Sequence, residues 1–419
     1  MIIVSAEDTD KVRLVLDNAE ITSSTSAAIY VPEADKVFIT TASGSENTLA
    51  NGVEYAAIDD NNIDAVIFSK SDLTLNGAGT LIINAAAGHG VVSKDDLVLT
   101  GGTYNITAAS HGLSGKDSVR IANGTYTITS GKDGIHAENT DDTVLGFLYI
   151  AGGTFMITAD GDGMTASAYL KIEDGSFTIT TGEGSASVTM TTDTMDFGQR
   201  GGFQYQTTTT ATEEDSPSRK GVKADGALTI TGGTFVTDTV DDSIHSNSDI
   251  SITGGEFKLR TGDDAVHADG AVNIQSGDFT IAYCYEGIEG LSVTIDDGTF
   301  DITSVDDGIN AAGGTDSSGF GGRAPEQEQF SDGTDMFITI NGGNFIVAAS
   351  GDCLDSNGDL TINGGTLDLT CNGNADTAID CDGSYTNNGG NVTTNDGSEN
   401  NPGQMGGGMA GQGGIKPGR

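Results

Sequence analysis

Acidic side chains return at fixed places in this 419-residue chain, and at several of those places they come doubled, as in Asp241-Asp242, Asp263-Asp264 and Asp306-Asp307. Cut into repeats of about 22 residues, the chain aligns them in two columns. The first runs His89, His111, Asp133, Asp162, Lys220, Asp242, Asp264, Glu286, Asp307, Asp352, and the second runs His136, Thr165, Lys223, His245, His267, Glu289, Asn310, Asp355, Asp380. Like charges about 5 Å apart in stacked repeats repel by roughly 3 kcal/mol per pair at an effective dielectric near 20. A cation relieves that repulsion. Ca²⁺ accepts about 6 to 8 oxygens, so carboxylates of two successive repeats can share one ion. Acid density makes Asp241, Asp242, Asp263, Asp264, Asp306 and Asp307 the candidate ligands of an acidic stripe along one edge. The competing reading is that Asp-Gly pairs only make turns with solvated carboxylates, which suits Asp133 and Asp162. The outward histidines His245 and His267, one repeat apart, are open to stacking, to pairing with carboxylates and to metal ligation.

The elements that hold these columns follow from a second pattern, I-x-G-G-T-F, whose second glycine falls at Gly102, Gly124, Gly153, Gly175, Gly233, Gly255, Gly277, Gly298, Gly343 and Gly365. Most steps are 21 or 22 residues, and the long ones of 58 and 45 hold inserts after which the register resumes. One unit therefore repeats and tolerates insertions in a loop. Apolar residues three before, two after and four after each glycine give short alternating strands rather than helices. The position two after is aromatic from Tyr104 and Tyr126 through Phe155, Phe177, Phe235, Phe257, Phe279, Phe300 and Phe345. Such a column reads as packing rather than as a sugar platform. Each unit buries little alone and a continuous core when stacked. The expected fold is all-β, a right-handed single-stranded parallel β-helix of roughly a dozen coils. Residues 1–71 supply the end cap and first coils, the inserts lie near 185–219 and 313–335, the β-helix ends near 391, and 392–419 is a Gly/Asn-rich tail too polar to pack.

A balance of 61 acidic against 18 basic residues, net −43, leaves no basic stripe to neutralise phosphates and argues against nucleic acid as a partner. No run of 18 apolar residues exists to span a membrane. Cys284, Cys353, Cys371 and Cys381 lack zinc spacing and are open to disulfides or free thiols. The charge and the Thr/Gly/Asn richness suit an extracellular or cell-surface protein, although Met1 to Asp10 carries no secretory signal. Oligomeric state is not written in this composition.

Ala28-Ile29-Tyr30-Val31, Ser45-Glu46-Asn47-Thr48-Leu49 and the run from Gly221-Val222-Lys223-Ala224-Asp225-Gly226 to Thr231-Gly232-Gly233 resemble the secreted carbohydrate-binding β-helix proteins of cellulose-degrading anaerobic bacteria. The resemblance covers about Val12 to Gly390. It implies a β-helix like that of calcium-dependent pectate lyases, several bound calcium ions, and binding of cellulose or acidic plant cell-wall polysaccharide such as polygalacturonate.

Two functional classes follow. One is a non-catalytic binding protein whose calcium joins a uronate polymer to the stripe. The other is a polysaccharide lyase in which calcium acidifies the proton beside the uronate carboxylate and a desolvated Lys223 removes it. A glycoside hydrolase is disfavoured, because Gly88-His89-Gly90 lies upstream of Asp241-Asp242, Asp263-Asp264 and Asp306-Asp307 and no R-x-K follows them. Candidate sugar contacts are Tyr283 and Tyr285 beside Glu286 and Glu289, with His245 and His267, and also Phe197, Phe203 and Tyr205 in the first insert. A structural surface or adhesion role is the third reading.

Overall fold

The computed structural model describes residues 1–190, 218–312, 336–373 and 376–402. It is all-β. Parallel strands form one sheet of 14 and one of 25 strands. Most strands pair residue for residue with their counterparts one repeat later: Thr103 faces Thr125 and Tyr104 faces Tyr126, and Thr125 then faces Thr154. The pairing is indifferent to the inserts, since Phe177 meets Phe235 and Met164 meets Val222 across more than 50 residues of chain.

The I-x-G-G-T-F strands make the smaller sheet. Thr125–Ser130, Thr154–Ala159, Ser176–Thr181, Thr234–Thr239 and Glu256–Thr261 are typical, alternating exposed and buried residues. The other two strands of each repeat, such as Ile244–Ser246 and Ile250–Ile252, belong to the larger sheet. At Val266–Ile274 and Ile288–Ile295 they fuse into single long strands.

Apolar columns fill the space between the sheets. The aromatic rings form an unbroken stack from Tyr104 to Phe345, with centroids 4.4–5.1 Å apart and planes within 5–11°. The repeat's second glycine is required by that stack. Gly175 has φ +143°, and a Cβ there would stand 2.8 Å from the Phe177 ring. One polar residue breaks the aliphatic column next to the rings: Thr237 is buried and its hydroxyl meets that of Ser243 at 2.8 Å, so the exception is internally satisfied. Because ring stacking and burial coincide at Phe235, Phe235→Ala is expected to cost about 3–5 kcal/mol. Chemical denaturation measures it, and Phe235→Leu should lose much less.

At the N-terminal end a separate small cluster of Ala27, Tyr30, Ala65, Phe68 and Val92 packs against Ile63. At the other end the strand Asn391–Thr394 still pairs with Thr366–Leu369, and Val392 packs on the core. The ladder thus extends a few residues past the boundary suggested by composition, because one apolar side chain suffices to continue a column whose backbone bonds are already templated. All four cysteines are free thiols, three of them buried.

Candidate functional site

The acidic columns do not form a solvated edge. Asp162, Asp241, Asp242, Asp264, Glu286 and Glu289 are buried, and so are His245 and His267. The reason lies in the backbone. Where most repeats turn between their sheets, the N–H of the first-column residue bonds to the side chain one repeat earlier. Asp133 Oδ1 accepts from Asp162 N–H (2.9 Å), Asp162 from Lys220 (2.8 Å), Asp242 from Asp264 (3.1 Å), Asp264 from Glu286 (2.9 Å) and Asp307 from Asp352 (2.6 Å). Asp352 does the same for Thr377. Histidine can substitute, since His89 Nδ1 accepts from His111 N–H (3.3 Å) and His111 Nδ1 from Asp133 N–H (3.2 Å). A short acceptor at this position closes a buried backbone donor, which pulls the column inward.

The second carboxylate oxygen meets a histidine of the second column. Asp133 Oδ2 lies 2.7 Å from His136 Nδ1, Asp242 Oδ2 lies 2.8 Å from His245 Nδ1, and Asp264 Oδ2 lies 3.1 Å from His267 Nδ1. Lys220, itself fully buried, puts its ammonium on Asp242 as well. Burial pushes Asp242 up, but Lys220 and His245 outweigh it and hold the carboxyl far below its usual range. Asp264 goes the other way. Burial and then Glu289 raise it to about 7. Burial pushes His267 down, yet Glu289 at 2.9 Å from Nδ1, Asp264 and Asp269 together carry it well above the usual imidazole range.

Past this point the compensating cations stop. Asp352, Asp355 and Asp380 are half-buried with carboxylate oxygens within 4.8 Å of one another. Among the described residues no Lys, Arg or His pairs with them or with Asp306, Asp307, Asp376 or Asp382. Burial and like charges raise Asp352 and Asp355 to about 7 and Asp307 well above the carboxylate range. In the same column, one repeat before Asp355, the buried Asn310 Oδ1 has no hydrogen-bond partner among the described residues.

Of the six metal candidates, the structure gathers Asp242, Asp263 and Asp264 within 4.8 Å, while Asp241 turns to accept the Arg219 N–H at 2.7 Å. Asp306 and Asp307 lie in a later repeat beside Asp352. The doubled acids thus fall at two places on the ladder, one of them beside Asp352. The missing signal was the run Asp307, Asp352, Asp355, Asp380 with no basic residue in either column. Lys223 sits half-buried between Thr165 and His245, where its charge acts on Asp162 and Asp225.

The expected sugar contacts divide similarly. Tyr283 and Tyr285 are half-buried, with Arg260 over the Tyr283 ring at 5.6 Å, whereas Glu286, Glu289, His245 and His267 are interior. Phe197, Phe203 and Tyr205 lie outside the described residues. A more open aromatic face had not been anticipated. Phe147 stacks on Tyr169 at 4.8 Å on the outside of the larger sheet, and Tyr149 lies beside Lys171 and Arg120. Strand alternation marks it, because Phe147 and Tyr149 flank the buried Leu148.

The profile of a family described as carbohydrate-binding domain-containing protein matches residues 1–265 and 263–402. A carbohydrate-binding domain-containing protein of Acetivibrio thermocellus is 40% identical over 97 residues, 23% of this chain and 34% of that protein. The matched segment thus spans about a third of that relative's length. A solved structure of a polysaccharide lyase-like protein from C. thermocellum, a gadolinium derivative, is similar at 36% identity and TM-score 0.42, over 43% of this chain and 73% of that one.

Proposed function

The chain belongs to the carbohydrate-binding domain-containing family, and from that premise we propose a non-catalytic, calcium-dependent binder of plant cell-wall polysaccharide, built as a right-handed single-stranded parallel β-helix. The observation that carries this reading is the acid cluster Asp307, Asp352, Asp355 and Asp380, crowded and without a cation among the described residues. Its donors are all hard oxygens, and the partnerless Asn310 carbonyl oxygen adds a neutral one, which suits Ca²⁺. Calcium bound there would supply charge neutralisation and coordination positions for the carboxylates of an acidic polymer of the polygalacturonate type. Cellulosic chains are the alternative ligand, with Phe147, Tyr149 and Tyr169 as the stacking surface. A −43 chain of this composition fits an extracellular or cell-surface setting.

Binding rather than catalysis is favoured by the commitments of the ladder. Most first-column acids between Asp133 and Asp352 cap a backbone N–H, and the buried Asp242 and Asp264 also hold a cationic side chain, so they are structural before they are chemical. The test is co-sedimentation with polygalacturonate and with cellulose, in calcium and in chelator, while following the ultraviolet absorbance of unsaturated uronate. Calcium-dependent sedimentation with flat absorbance is expected. Asp355→Asn combined with Asp380→Asn should weaken calcium binding by at least the about 10- to 100-fold typical of supporting residues at a metal. A rising absorbance abolished by Lys223→Ala would make the protein a lyase.

A further inference from the structure

The N-terminal half of the ladder carries a second, chemically different cluster. His111 Nδ1 lies 3.1 Å from Asp133 Oδ2, and His136 Nδ1 approaches that same oxygen at 2.7 Å. The two imidazoles stack at 4.1 Å, and His89 continues the stack at 4.9 Å. All three side chains of the cluster are partly accessible, at 12–18% exposure. Behind it, His136 Nε2 faces Glu138 at 3.2 Å.

The protons in this cluster conflict. His111 Nδ1 accepts the Asp133 N–H, as His89 Nδ1 accepts the His111 N–H, so the ladder assigns Nδ1 of both rings a lone pair and puts the proton on Nε2. That lone pair then points at a carboxylate oxygen 3.1 Å away with no hydrogen between them. Moving the proton to Nδ1 would mend this contact and forfeit the backbone bond that sets the register of the repeat. A metal cation among the three atoms would use that one lone pair in place of the backbone bond, and would take the place of the proton between His136 Nδ1 and Asp133 Oδ2. Around a tetrahedral zinc, with bonds of about 2.0–2.2 Å, donor atoms lie roughly 3.3 Å apart, close to the separations already present.

We propose that His111, Asp133 and His136 form a binding site for a first-row transition metal ion of the zinc or cobalt class. Two imidazoles and one carboxylate select such ions over calcium. Glu138 is the outer carboxylate that orients His136 through its Nε2–H, the arrangement that usually supports a metal-bound histidine. The related cluster of Asp242, His245 and His267 differs in one decisive respect, because the Lys220 ammonium already sits on its carboxylate. The site stands apart from the calcium cluster and from the sugar reading.

Titration of the metal-free full chain with Co²⁺, followed by visible absorption, tests the proposal. One saturable equivalent with ligand-field bands is expected, displaced by Zn²⁺ and not by Ca²⁺. His111→Asn retains a side-chain acceptor for the Asp133 N–H and so preserves the ladder, and His136→Gln removes the other imidazole. Each should weaken cobalt binding by about 100-fold or more, with thermal melting confirming that both variants fold. His267→Gln should leave it unchanged. No saturable cobalt binding by the parent chain, or binding that survives in both variants, would overturn the assignment.

Discussion

Lys220→Met is expected to destabilise the protein by about 3–5 kcal/mol, the cost of leaving a buried charge without its partner. Lys220 and Asp242 are both fully buried, and the ammonium shares Asp242 Oδ2 with His245. The other oxygen of Asp242 holds the Asp264 N–H, so the carboxylate cannot leave without opening the ladder. Denaturant unfolding at neutral pH measures the loss. The informative comparison is the double variant with Asp242→Asn, which keeps an oxygen for the Asp264 N–H and carries no charge. It should recover most of the stability, and a single variant as stable as the parent would show that the pair is dispensable. The sign of the pH dependence follows from the depressed Asp242 carboxyl. Its contribution is fully present above the unfolded carboxylate value near 4 and fades only as the pH falls below that.

The far end of the ladder has the opposite sign. Burial and the neighbouring carboxylates push Asp352 and Asp355 up to about 7 from the usual 3.8, so the folded state binds more protons than the unfolded one in between. Stability in chelator should therefore fall as the pH rises from about 4 to about 7 and level off above. A shift of this size corresponds to a loss on the order of 4 kcal/mol. Saturating calcium should reduce the slope and leave the part due to Asp264 and Asp162, since a bound ion favours the ionised carboxylates around it. Melting temperatures between about pH 5 and pH 8, in chelator and in calcium, give the answer. A flat profile in chelator would mean that these carboxylates are not crowded enough to call for an ion. A slope that calcium leaves unchanged would place calcium elsewhere.

Repetition determined most of the architecture directly. A strand that lies on an identical strand has one register in which every column matches, so the I-x-G-G-T-F period identified the aromatic stack and the aliphatic columns from spacing alone. The two acidic columns were equally legible as columns. Their environment was not. Sequence suggested a stripe along an outward edge because Asp, Glu and His are usually exposed, whereas the turn between sheets leaves a buried N–H in most repeats that a short side-chain acceptor fills. Which acids are neutralised depends on the side chain three residues on and one repeat away. Lys220 on Asp242, His136 on Asp133 and the absence of any described cation near Asp355 are facts of stacking geometry. Periodicity fixes which residues share a column; only the tertiary structure decides how deep that column lies and where its charges are balanced, because burial and pairing are properties of neighbours in space.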